Sequence, residues 1–189
     1  MIKRAIEERI HNALAKKKIV TIMGPRQVGK STLAGAMIPE DANDLEINGD
    51  NTDVQTMFVN VDDTKMKVLI GNKNFLFVDE AQKIGNVGNM LKIVAEKFDD
   101  VKVIVTGSSA FKLAEAVNES LTGRKREFRL YPLSFKEMAD ETSVLEESRM
   151  IDHRLIYGYY PEVVTSPGDE KEVIKELIDS YLYKDVLEE

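Results

Sequence analysis

The sequence predicts an α/β fold whose central, mostly parallel five-stranded sheet is flanked by helices. Three observations point there. The stretches 18–23, 74–78 and 101–106 are nearly continuous apolar runs rich in β-branched residues and Phe, as strands buried on both faces require. Between them, Val87, Met90, Leu91, Val94, Ala95 and Phe98 recur at helical spacing. Gly71-Asn72 and Gly107 supply stops where the pattern changes. Apolar strands alternating with helices imply parallel pairing.

Taken in order, Ile2, Ile6, Ile10 and Leu14 recur every four residues, and with Ala5 and Ala13 they make one apolar stripe. Residues 2–16 are therefore expected to form an amphipathic helix, with Lys16, Lys17 and Lys18 suited to its negative carboxyl end. A strand follows at 18–23, and a helix begins at Thr32. Residues 39–53 are rich in turn formers around a short strand at Leu45-Glu46-Ile47. Short helices are expected at 53–59 and 63–71, a strand at 74–78, a helix at 86–98 and a strand at 101–106. A helix at 109–119 and a fourth candidate strand at 127–131, stopped by Pro132, complete this part. Beyond it the strands cease. Helices are expected at 134–140, 145–158 and 169–187, broken near Pro161 and Ser166-Pro167-Gly168. The expected division is an α/β core at 1–133 and a helical segment at 134–189.

Composition narrows the class. There is no Cys, which excludes disulfides, thiolate zinc sites and thiol catalysis and suits a reducing, cytoplasmic setting. No apolar run has the length of a membrane span, so no membrane partner is expected. The net charge of −7 argues against electrostatic nucleic-acid binding by the chain as a whole. That charge is uneven: residues 1–30 carry eight Lys or Arg against two acids, whereas residues 31–63 carry eight acids and no base.

Gly24-Pro25-Arg26-Gln27-Val28-Gly29-Lys30-Ser31 fits G-x-x-x-x-G-K-[ST], the phosphate-binding loop, and lies between an expected strand and an expected helix that opens with Thr32. Gly24 and Gly29 can take positive φ and let backbone N–H groups curl around phosphate. The helix that follows turns its positive end to the same anion. Lys30 is placed for the β- and γ-phosphates, and the Ser31 hydroxyl for Mg²⁺.

Such a loop needs a partner strand ending in acid. Phe75-Leu76-Phe77-Val78-Asp79-Glu80 is that strand. Asp79 is expected to hold Mg²⁺, and Glu80 to take a proton from an attacking water. The interval from Lys30 to Asp79 leaves room for another strand and two short helices, so the Asp79 strand is not the next in sequence. That spacing fits the additional-strand ATPases. The third apolar strand ends Thr106-Gly107-Ser108-Ser109. Ligands of such sheets sit at the carboxyl ends of the strands. Ser108, with Ser109 second, is the candidate γ-phosphate sensor or water-orienting hydroxyl; a helix N-cap is the alternative role. Arg124, in Leu121-Thr122-Gly123-Arg124, is a candidate arginine finger acting in trans. It would come from a second copy, which makes a homo-oligomer a candidate partner.

These stretches resemble the AAA+ ATPases of the archaeal and bacterial group that join an ATPase core to a carboxyl-terminal domain of unknown function. The matching segments are Gly24 to Thr32, Leu76 to Ile84, Val105 to Phe111, Leu121 to Arg124, Leu130 to Phe135 and Gly158 to Val164, covering the chain from residue 19 to about residue 187. The resemblance implies an ATP-binding core of P-loop NTPase fold, with Lys30, Ser31 and Asp79 around Mg-ATP, Glu80 activating water, Ser108 as first sensor and Arg124 as finger. In such proteins a Gly-Gly precedes the aromatic and Pro, but here Tyr159 takes the second position. Members typically continue with a further domain after about residue 187. The resemblance therefore implies that a protein or nucleic-acid partner is engaged through a carboxyl-terminal domain absent here.

Mg-dependent ATP hydrolysis driving conformational change is the leading expectation, with ATP and ADP as ligands. The alternative is a slowly hydrolysing, ATP-gated binding or regulatory module. A GTPase switch lacks its guanine-reading Asn-Lys-x-Asp, since Asn72-Lys73-Asn74 is followed by Phe75. A nucleotide kinase could clamp phosphates with Arg124, Lys125, Arg126 and Arg129, but no acceptor site is legible.

Overall fold

Five short runs lie side by side in the computed structural model, which describes residues 1–108 and 121–185, with 180–185 as backbone alone. The helix expected at 109–119, Ser109 and the last residues of the helix expected to run to 187 lie outside the described residues. The strands are β1 (Ile19–Met23), β2 (Asp44–Asn48), β3 (Phe75–Asp79), β4 (Lys102–Gly107) and β5 (Lys125–Arg129). Their order is β2-β3-β4-β1-β5, and every adjacent pair is parallel. The described strands therefore form a parallel sheet in the predicted fold class. β4 lies between β1 and β3, so the strand before the phosphate loop and the strand ending in Asp79 are not neighbours.

β1 and β3 are buried along their whole length, as their unbroken apolar sequences require. One face of the sheet packs Leu76, Val78, Val103 and Val105 against Met66 and Ile70 of α4 (Asp63–Ile70) and Met90, Leu91 and Val94 of α5 (Val87–Lys97). Alternation along the strands turns Val20, Ile22, Phe77 and Ile104 the other way. Against that side lie α1 (Glu7–Ala15), packed on β1, and α2 (Lys30–Ala36), packed on β1, β3 and β4. α3 (Thr52–Phe58) precedes α4 and buries Phe58.

The fourth strand forms at 125–129, not at 127–131 as expected. Its register runs from Ile19 opposite Lys125 to Met23 opposite Arg129. Backbone pairing along β1 decides its bounds, since only Phe128 of this edge strand is buried. The first helix starts later than its apolar stripe suggests, at Glu7.

The described residues fall into two compact units: Ile6–Pro25 with Lys30–Leu130, and Met1–Ala5 with Arg26–Gly29 and the chain from Tyr131. The second unit holds α6 (Phe135–Glu141), α7 (Val144–Arg149), α8 (Ile151–Tyr157), α9 (Pro161–Thr165) and α10 (Glu170–Asp185). The single helix expected at 145–158 is two helices, which meet at Met150. Pro161, expected as a break, opens α9 instead: its fixed φ suits a first helical position, where no N–H is needed. Tyr159, where a glycine was expected, has no positive φ; that conformation falls on Gly158 at 77°. Among the described residues no helix is long and apolar enough to cross a membrane.

α6 begins with a reciprocal cap. The Glu137 N–H donates to Ser134 Oγ at 3.2 Å, and Glu137 Oε2 accepts from the Ser134 N–H at 2.8 Å. Glu137 Oε1 accepts from the Ala5 N–H at 2.8 Å and from Arg4 Nε at 3.0 Å. Burial pushes the Glu137 carboxyl pKa up, but the backbone N–H donors of Ala5 and Ser134 and the Arg4 guanidinium outweigh it and hold it below its ordinary value of 4.5. The folded state thus binds fewer protons at this site than the unfolded state. The stabilisation is complete above 4.5 and fades as pH falls through the lowered folded value. Urea unfolding followed down to acid pH should show that loss, and Glu137→Gln should show a shallower acid dependence. Equal dependences for parent and variant would remove Glu137 as a source of it.

Candidate functional site

Gly24-Pro25 leaves β1 and Lys30-Ser31 opens α2, so the two ends of the phosphate-loop motif stand where a strand-loop-helix turn requires. Gly24 is not among the residues with positive φ, so it does not use that freedom. Its reason is space. A Cβ on Gly24 would lie 2.1 Å from the carbonyl oxygen of Leu130. Gly29 does take the left-handed region, at φ 90°, and Gln27 joins it at 59°. The 26–29 turn belongs to the second unit, where the Val28 side chain is fully buried. Pro25, Arg26 and Gly29 are partly buried, while Gln27 and Thr32 are exposed.

Lys30 is the first residue of α2 and is only 5% exposed. Its ammonium donates to the carbonyl of Pro25 at 2.8 Å. This charge is held against the loop, where a phosphate oxygen would compete with a neutral acceptor.

Ser31 and Asp79 meet. Ser31 Oγ donates to Asp79 Oδ1 at 2.9 Å, although 48 residues separate them. Asp79 ends β3 and is buried. Thr106, fully buried near the end of β4, donates its hydroxyl to the same Oδ1 and accepts the Glu80 N–H at 3.2 Å. A hydroxyl beside a buried carboxylate is an all-oxygen pair, which suits Mg²⁺. No group of three or more His, Cys, Asp or Glu able to hold a metal occurs among the described residues. Ser31 and Asp79 therefore fit an ion that completes its shell with phosphate and water, as Mg²⁺ commonly does.

Glu80 caps a 3₁₀ turn at Ala81–Lys83 with its backbone in the left-handed region, φ 47° and ψ 43°. That conformation costs a non-glycine residue about 1–2 kcal/mol. Here the cost goes with a carboxylate aimed at the strand ends. Glu80 Oε2 accepts from Gln82 Nε2 and, at 3.3 Å, from Ser108 Oγ. Gln82 Nε2 also donates to Ser108 Oγ at 2.9 Å, so three side chains form a closed triangle. Gln82 Oε1 is buried with no hydrogen-bond partner among the described residues. Sequence reasoning missed Gln82 and Thr106. Their signals were modest: an amide two residues after the acid, and a polar residue closing an apolar strand.

Gly49 was missed as well. Its N–H donates to the Asp79 carbonyl at 2.9 Å, and a Cβ there would lie 2.3 Å from the Glu80 carbonyl oxygen.

Arg124 is elsewhere. The Ile19 N–H donates to its carbonyl at 3.0 Å, so Arg124 lies at the amino-terminal ends of β1 and β5. The loop follows the opposite end of β1, about 16 Å away along a five-residue strand. Arg124 is half exposed and ion-paired with Glu96 at 3.3 Å. Within its own chain it is not brought to Lys30, Asp79 or Glu80. A pocket lined by Lys17, Lys18, Phe98 and Arg124 opens at this far end, away from the loop.

A family model described as an AAA domain matches residues 16–139. An uncharacterized protein of Methanocaldococcus jannaschii is 26% identical over 98% of this chain and 45% of its own length. Uncharacterized proteins of Haemophilus influenzae, at 29% identity, and Mycobacterium tuberculosis, at 27%, match 60% and 75% of this chain. The chain spans less than half the length of each of these relatives: 45%, 30% and 31%. In fold, a Walker-type ATPase of Pyrococcus abyssi superposes over the whole chain and 75% of its own, with a TM-score of 0.62 at 17% identity.

Proposed function

The chain belongs to the AAA domain family, and from that premise we propose that it binds Mg-ATP at Gly24–Thr32 and Asp79 and hydrolyses it with Glu80 as general base. The observation that supports this best is the 2.9 Å bond between Ser31 and Asp79, which brings the loop hydroxyl to the strand-end acid. Lys30 and the loop N–H groups bind the phosphates. Ser31 and Asp79 hold Mg²⁺, which when bound neutralises charge on the phosphate oxygens. The oxygen of a water attacks the γ-phosphorus, the bond from that phosphorus to the β-bridging oxygen breaks, and the water's proton passes to Glu80. Ser108 and Gln82 keep the Glu80 carboxylate in place and can report whether a γ-phosphate is present. The released free energy drives a conformational change toward a protein or nucleic-acid partner.

Arg124 is proposed as a finger supplied by a second copy, because its own loop lies at the other end of the sheet. Phosphate release measured against protein concentration tests both statements. The specific rate should rise steeply with concentration for the parent, and Arg124→Ala should lower it by roughly 10³-fold or more. A flat profile would remove the trans role. ATP binding with no phosphate release at any concentration would favour the slow, ATP-gated module instead.

A further inference from the structure

Arg4 is 8% exposed, and its guanidinium hydrogen-bonds, among the described residues, to three distant parts of the chain. Nε donates to Glu137 Oε1 at 3.0 Å, Nη1 to the Val28 carbonyl at 3.0 Å and Nη2 to the Tyr131 carbonyl at 2.6 Å. These partners lie 133, 24 and 127 residues away in sequence. One side chain thus ties the amino-terminal segment to the 26–29 turn and to the chain entering α6, all within the second unit. The Glu137 carboxylate offsets the cost of burying the charge.

We propose that Arg4 is a positioning residue that aims the Gly29 N–H of the phosphate loop at a nucleotide phosphate, through its hold on the Val28 carbonyl. The Val28 carbonyl and the Gly29 N–H belong to one peptide unit. That unit is planar and trans, so the two groups point in opposite directions. Drawing the carbonyl onto Arg4 turns the N–H away from Arg4, as a donor to an anion must be turned. The polarised carbonyl also makes the same peptide's N–H a stronger donor. An anchor is needed here because Val28 lies between Gln27 and Gly29, both left-handed and in neither a helix nor a ladder. A guanidinium suits the task, since its rigid fork serves three acceptors at once, whereas an ammonium on a flexible stem does not hold that geometry. Because Tyr131 and Glu137 share the anchor, the aim of the loop is also tied to the entry of α6.

This inference rests on the nucleotide-binding reading, and the test separates the two. MgADP affinity would be measured for the parent, Arg4→Met and Arg4→Lys, at a temperature where circular dichroism shows each folded. Melting temperature and the nucleotide-induced shift of the Gly29 amide resonance would be recorded alongside. Both variants should bind MgADP about tenfold or more weakly, and the Gly29 shift should shrink. Arg4→Lys keeps the charge and most of the stem, so it tests the fork even if Arg4→Met does not fold. A folded Arg4→Lys that binds like the parent, with only its melting temperature lowered, would overturn the positioning role. Failure of the parent itself to bind MgADP would overturn the nucleotide reading, and this inference with it.

Discussion

Glu80→Gln should leave ATP binding close to the parent's while slowing turnover by roughly 10²–10⁴-fold, the usual contribution of a general base. The amide fills the same volume and can still accept from Gln82 and Ser108, so the triangle of side chains persists. What it cannot do is take a proton. Binding depends on the loop, Lys30 and the Ser31–Asp79 pair, none of which the substitution touches. Equilibrium binding of a fluorescent ATP analogue, set beside single-turnover phosphate release, would check the split. A variant that released phosphate at the parent's rate would show that Glu80 is not the base. A variant that lost binding would show that Glu80 contributes to the nucleotide site itself.

Gly49→Ala should be nearly as damaging, although Gly49 carries no side chain. The added Cβ would meet the Glu80 carbonyl oxygen at 2.3 Å, the Glu80 carbonyl carbon at 3.1 Å and the Asp79 carbonyl oxygen at 3.2 Å. All three are backbone atoms, so no side chain can swing aside. Either the end of β2 separates from β3, losing the 2.9 Å bond from the Gly49 N–H to the Asp79 carbonyl, or the 79–80 peptide moves. A shift of about 1 Å at a catalytic group can cost about 10²-fold in rate, and overpacking typically costs about 1–3 kcal/mol of stability. Gly85→Ala is the control, since a Cβ there meets nothing within 4 Å. Turnover and urea stability measured for both variants would decide it. Parent-like turnover in Gly49→Ala would mean that the Asp79–Glu80 turn tolerates displacement.

Much of this is legible in the sequence itself. The loop, the acid pair and the apolar strands are local patterns whose spacing reflects nearby backbone geometry. A strand-loop-helix turn needs its glycines, lysine and hydroxyl within eight residues, and β3 needs an apolar run that ends in acid. Hence Lys30, Ser31, Asp79 and Glu80 could be named and the sheet expected to be parallel. The fourth strand was displaced by two residues because its bounds come from pairing with β1.

What the tertiary structure alone decided is which distant segments touch. Gly24 is glycine because Leu130 passes 2.1 Å from where a Cβ would sit, not because of its φ. Gly49, Thr106 and Gln82 matter through the Asp79–Glu80 turn, yet in sequence they resemble ordinary turn and strand residues. Arg124 proved to be a strand's length from the loop, a consequence of β5 running parallel to β1. Arg4 reaches Val28, Tyr131 and Glu137 from the segment before α1. Residue spacing along the chain records which dihedrals and faces a short segment prefers. Close approach between segments dozens of residues apart depends on sheet order and register, which emerge only when all the strands are paired.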